Sequence, residues 1–176
     1  MNTARQTIDS AVRECESHIA QLEVAEEELQ ARRPLTEAQL NDLGRHELAH
    51  LDQFIYRFTR LQDSMARRLL PALYRELEAD ESPKPFLDRL NRLEQLGVIS
   101  SVEEWQEFRN LRNNLAHDYP GSQVETVTTL NELFETWAGL AAMFRQARDY
   151  YRRHAHGSGN AGKNAGGDAA RPRTEQ

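Results

Sequence analysis

The sequence predicts an all-α protein, a bundle of about five helices followed by a disordered C-terminal tail. Three observations predict it. Apolar residues recur at spacings of three and four through most of residues 1–156, the period of helices that bury one face. Helix breakers are scarce there, because most of the nine glycines fall after position 156 and only six prolines occur in 176 residues. Beyond His156 the chain turns to Gly, Asn, Ala and Ser without apolar periodicity, a composition that buries too little to order itself. The length suits one domain, so residues 1–156 are read as the helical domain and 157–176 as the tail.

The first helix is expected from about Thr3 to Arg32, with Ile8, Ala11, Cys15, Ile19, Leu22, Ala25 and Leu29 on one face and Pro34 breaking it. Thr36 with Gln39 three residues on reads as a cap that opens the second. Its stripe of Leu40, Leu43, Leu48, Leu51, Phe54, Ile55, Phe58, Leu61, Met65, Leu69 and Leu73 is too wide for a surface helix and marks the middle of the bundle. Pro71 should kink it or end it near Leu70, with Ala72 to Glu78 as a further piece. Phe86, Leu90, Leu93 and Leu96 form a short third helix stopped by Gly97. Ser100 or Ser101 caps a fourth, in which Ser101 and Glu104 have capping-box spacing and Val102, Trp105, Phe108, Leu111 and Leu115 are buried; Pro120 requires it to end by Tyr119. The fifth runs from about Ser122 to Arg153.

Composition narrows the function. A net charge of −6 opposes broad nucleic-acid binding, which draws its affinity from a large basic face; RNA contacts should be local. The lone Cys15 rules out an internal disulfide and a multi-cysteine zinc site and reads as a core residue. The start of the chain has no apolar signal region and no long apolar run follows, so a cytoplasmic location is expected.

His46-Glu47-Leu48-Ala49-His50 matches the zinc-peptidase pattern H-E-x-x-H, two histidines one turn apart with a glutamate as general base. Zinc needs a third protein ligand. The nearest candidate beyond this helix is Glu76, which a continuous helix would carry roughly 30 Å or more away, so the segment is read as a solvated face. His154 and His156 stand beside Arg152 and Arg153 at a helix end, where basic residues complement the helix dipole. Arg57, Arg60, Arg67 and Arg68 read as the solvent edge of the second helix, with the option of lining a groove.

The segment Arg112-Asn113-Asn114-Leu115-Ala116-His117-Asp118-Tyr119 differs in quality. Asn113 and His117 are four apart, so on a helix the amide sits beside the imidazole and fixes its orientation. Arg109 and Arg112 add two permanent cations. A histidine that moves a proton to or from a ribose oxygen, beside guanidinium groups that hold a phosphate, suits RNA cleavage without metal or cofactor. One chain supplies one such histidine, and a twofold dimer would set two His117 residues across a shared cleft. The same residues would also serve simply to hydrogen-bond the helix end and solvent, and on their own they leave both readings open.

Arg112-Asn113-x-x-x-His117-x-Tyr119 resembles the R-x4-6-H signature of the HEPN superfamily, including the polar residue after the arginine and the histidine-x-tyrosine ending of its HepT-like toxins. The layout from about Thr36 to Arg153 is similar too. The resemblance implies a dimerising helical bundle and a metal-independent endoribonuclease toxin of a type VII-like toxin-antitoxin pair. Arg112 and His117 would then be catalytic, with Asn113 assisting and Arg109 contacting RNA phosphate. Tyr119 would accept AMP from a partner nucleotidyltransferase antitoxin of MntA-like type. The alternative implied by the same family is a non-catalytic companion or substrate-binding module for a nucleotidyltransferase.

Overall fold

The computed structural model describes residues 3–78, 82–116 and 122–157, and every regular element among them is helical. Helix α1, Thr3–Leu29, tightens into a 3-10 turn at Gln30–Arg32, and its predicted stripe is buried from Ile8 to Leu29. Helix α2, Glu37–Asn41, opens with the predicted capping box: Gln39 N–H donates to Thr36 Oγ1 at 3.2 Å and Thr36 N–H donates to Gln39 Oε1 at 2.9 Å.

The second predicted helix is in fact interrupted. Helix α2 stops at Asn41 and α3 starts at Arg45, with Gly44 as its N-cap and Glu47 Oε2 accepting the Gly44 N–H at 2.9 Å. Leu43 drops from this connection into the core, so its spacing from Leu40 imitates helical periodicity across a break. Leu48, counted in the same stripe, is 43% exposed. The stretch before α2 is fastened to the last helix: Asn131 accepts the Leu35 N–H at 2.8 Å and donates to the Leu35 carbonyl at 2.9 Å.

Helix α3 spans Arg45–Ser64, widens into a π-helical turn at Met65–Leu69 and continues as α4, Leu70–Glu78. Leu70 N–H reaches back five residues to the Met65 carbonyl. Pro71 lacks an N–H and crowds the carbonyl four positions earlier; the wide turn directly before it gives that carbonyl room, and the rod runs on instead of ending. Helix α5, Phe86–Gln95, closes in a Schellman arrangement, with Gly97 N–H on Glu94 O and Val98 N–H on Leu93 O, both at 2.9 Å, and Gly97 at φ 75°. Helix α6, Val102–Leu115, is capped by Ser101, whose Oγ accepts the Glu104 N–H at 3.1 Å. Helix α7 covers Gln123–Gly157, slightly longer than expected.

Side-chain pairs show how the rods lie. Arg5 meets Glu76, Glu14 meets Ser64, His18 meets Arg57 and Glu28 meets His46, so α1 runs antiparallel to the α3–α4 rod. Helix α7 also runs antiparallel to α1, joining Arg145 to Glu23 and Arg148 and Arg152 to Glu16. One core unites all of these helices except α2, which packs at its edge through Leu40. Gly139 of α7 lets α6 approach closely: a β-carbon there would lie 3.2 Å from the ring of Phe108. No helix among the described residues is long and apolar enough to cross a membrane.

Candidate functional site

Helix α6 presents Trp105, Phe108 and Leu111 inward and Arg109, Arg112 and Asn113 toward the rod and solvent. Where α6 faces the junction of α3 with the π turn, a cavity of about 300 Å³ opens, lined by Gln62, Asp63, Ala66, Arg67, Phe86, Trp105, Arg109, Arg112 and Asn113. Three of the predicted site residues, Arg109, Arg112 and Asn113, are thus brought together. His117 and Tyr119 lie outside the described residues.

Arg112 is held on two sides. Its Nε and Nη2 both donate to the Asp63 carboxylate at 3.2 Å, and its Nη1 donates to Asn113 Oδ1 at 3.4 Å. This fork-to-fork contact fixes the guanidinium plane. Arg109 and Arg67 are exposed at the cavity rim, so the described lining carries three guanidinium groups and one carboxylate. The floor is apolar and aromatic: Trp105 is fully buried and edge-on to Phe86, with ring centroids 6.3 Å apart. The indole N–H of Trp105 is a buried donor with no acceptor among the described residues.

Helix α6 stops at Leu115 with Ala116 as its C-cap, and the Ala116 N–H turns back to the Asn113 carbonyl at 3.1 Å. Asn113 Oδ1 accepts from Arg112 there, and its expected pairing with His117 lies outside the described residues. One expectation, on the H-E-x-x-H segment, is corrected. Glu76 pairs with Arg5 at 2.9 Å, but a different carboxylate does reach the two histidines: Glu28, which the antiparallel α1 carries to the start of α3. Glu28, His46 and His50 each offer a ligand atom, all within 4.8 Å of one another.

Sequence reasoning missed Asp63, Gln62 and Glu28 and placed Arg67 only as a groove option. No local pattern pointed to Asp63, since its partner stands 49 positions away. Among the remaining candidates, the Arg68 guanidinium turns from the cleft to Glu14 and Ser10, and Arg57 approaches His18 Nδ1 at 3.2 Å. His154 stacks on Tyr150 with centroids 4.0 Å apart and its Nδ1 lies 2.8 Å from the Tyr150 carbonyl. Cys15 is fully buried; burial first, then the nearby Glu14 carboxylate, push its thiol up to about 12, which keeps it protonated and unreactive. The chain matches no model of a known protein family, no curated protein and no solved structure.

Proposed function

We propose that the protein is a metal-independent endoribonuclease of the HEPN kind, working as a twofold dimer and silenced by a nucleotidyltransferase partner. The observation that carries this reading is the gathering around one cleft of Arg67 with Arg109 and Arg112, the last two immediately before the His117 segment in sequence. An acidic protein concentrates positive charge at one small place, which suits a phosphodiester better than a long duplex. The half-buried Phe86 ring at the cleft suits an unpaired base, as single-stranded RNA offers.

In the proposed chemistry one His117 takes the proton of a ribose 2′-hydroxyl and the oxygen attacks the adjacent phosphorus. The phosphorus bond to the 5′-oxygen breaks, and the departing oxygen takes a proton from the second His117 of the dimer, leaving a 2′,3′-cyclic phosphate. Arg112 and Arg109 stabilise the charge that builds on the phosphoryl oxygens. Joining AMP to the Tyr119 hydroxyl would bring a competing phosphodiester to the same guanidinium groups and obstruct the cleft.

The test is RNA cleavage by purified full-length chain in EDTA. Cleavage should persist, and His117→Ala and Arg112→Ala should each lower it by roughly a hundredfold with the helical signal intact; intact mass after incubation with ATP and a cognate nucleotidyltransferase should show one AMP, absent in Tyr119→Phe. The second reading, a non-catalytic companion of a nucleotidyltransferase, draws its support from the Asp63 carboxylate that already occupies Arg112. It wins if wild-type chain neither cuts RNA nor slows growth on expression.

A further inference from the structure

We infer that Glu28, His46 and His50 form a binding site for one divalent transition-metal ion of the zinc class, bridging the end of α1 and the start of α3. The three ligand atoms converge within 4.8 Å, and His46 Nε2 already stands 3.7 Å from Glu28 Oε2. Around a tetrahedral ion with bonds of about 2.0–2.2 Å, ligand atoms sit roughly 3.2–3.6 Å apart. Closing the remaining gap takes only rotation of side chains that are free to move, since His46 and Glu28 are 77% and 51% exposed.

The histidine tautomer is set for the task. His50 Nδ1 lies 3.0 Å from the His46 carbonyl oxygen, an acceptor only, so Nδ1 carries the proton and Nε2 presents its lone pair. A backbone carbonyl behind a ligating imidazole is the usual outer support of a metal site. Two imidazoles and a carboxylate favour zinc, cobalt, nickel or copper over magnesium or calcium, which prefer all-oxygen sets. Water would complete the coordination.

The glutamate of the H-E-x-x-H pattern is committed elsewhere. Glu47 accepts from Arg32 Nε at 2.6 Å and Nη2 at 3.0 Å, and from the Gly44 N–H at 2.9 Å. It caps α3 and anchors Arg32 instead of activating a metal-bound water. The ion is therefore a clip between helices and not a peptidase centre. It is also separate from the proposed RNA cleft: His46 and Asp63 stand at opposite ends of α3, about 25 Å apart along its axis.

The experiment titrates the full-length chain, stripped with a chelator and dialysed, with Co²⁺ followed by visible absorption and with Zn²⁺ followed by calorimetry and thermal melting. One ion per chain is expected, with a cobalt ligand-field band and a melting temperature that rises with Zn²⁺ concentration, as binding to the folded state alone requires. His46→Ala and His50→Ala should each weaken Zn²⁺ roughly a hundredfold and Glu28→Gln roughly tenfold, with unchanged circular dichroism because Glu28 and His46 are exposed and His50 lies outside the core. Absence of a cobalt band overturns the assignment. So does Zn²⁺ affinity that survives in the His46→Ala/His50→Ala double variant, which would place the ion on other histidines. RNA cleavage enters neither readout, so failure here leaves the ribonuclease reading standing and the reverse also holds.

Discussion

At Arg112 the planar guanidinium spends one edge on Asp63 and leaves Nη1 toward Asn113 and the cleft. The carboxylate thus orients the arginine while cancelling much of its charge, and both side chains are partly shielded, 26% and 17% exposed. Asp63→Asn keeps the shape but removes the anion. If the cleft receives a phosphate, this variant should bind a short single-stranded RNA severalfold more tightly at low salt, with the gain shrinking as salt rises. Stability should fall by about 1 kcal/mol, the scale of a partly exposed ion pair. Fluorescence anisotropy and a urea melt read the two quantities. Affinity that does not change would mean that the freed guanidinium meets no phosphate.

The contact between α1 and α3 carries its own electrostatic signature. His18 is 7% exposed and faces Arg57 and Arg60 of α3 and Glu14 of its own helix. Burial first, and Arg57 next, hold its pKa below the ordinary value of 6.5 against the pull of Glu14. For Glu14, burial alone would raise the pKa, but the hydrogen bond from Ser64 and the charges of Arg68, His18 and Arg60 outweigh it and hold the carboxyl below 4.5. In both cases the unfolded chain takes up a proton at higher pH than the folded one, so stability is lost on acidification. The His18 part is full above about 6.5 and declines as pH falls toward the folded value; the Glu14 part declines below 4.5. Melting temperature should drop between pH 7 and 5, and His18→Gln should flatten that limb. An identical slope in the variant would remove His18 as the cause. At this scale most of the fold was legible: the Thr36 and Ser101 caps, the Gly97 stop and the buried faces are local patterns of three and four residues. The break at Gly44 was not, because Leu40 and Leu43 preserve the helical spacing across it. The π turn was hidden for a related reason, since Met65 and Leu69 stay in register with the apolar stripe whichever way the backbone hydrogen bonds run.

Over the whole molecule, what the sequence withheld is pairing between distant segments. The antiparallel course of α1 against α3 brings Glu28 to His46 and Ser64 to Glu14, and no spacing rule reports which helix lies against which. The Arg109, Arg112 and Asn113 cluster was readable because one helix carries it; Asp63 and Arg67, which complete the cleft, come from another. The same limit applies one level higher, to a second copy of the chain. If acid and base are the two His117 side chains of a dimer, the active unit is twice the 20.3 kDa chain and neither subunit cuts alone. Light scattering at micromolar concentration should return about twice the chain mass. Activity then has a characteristic dependence on composition. When wild-type and His117→Ala chains are unfolded together, mixed and refolded, only particles with two intact histidines should cleave at the full rate. Specific activity should therefore follow the square of the wild-type fraction, falling to roughly one quarter at equal amounts, whereas independent sites would give one half. A straight-line decline, or a monomer that still cleaves RNA, would show that each chain holds its own acid and base, and the second proton-transfer group would have to be sought within a single subunit.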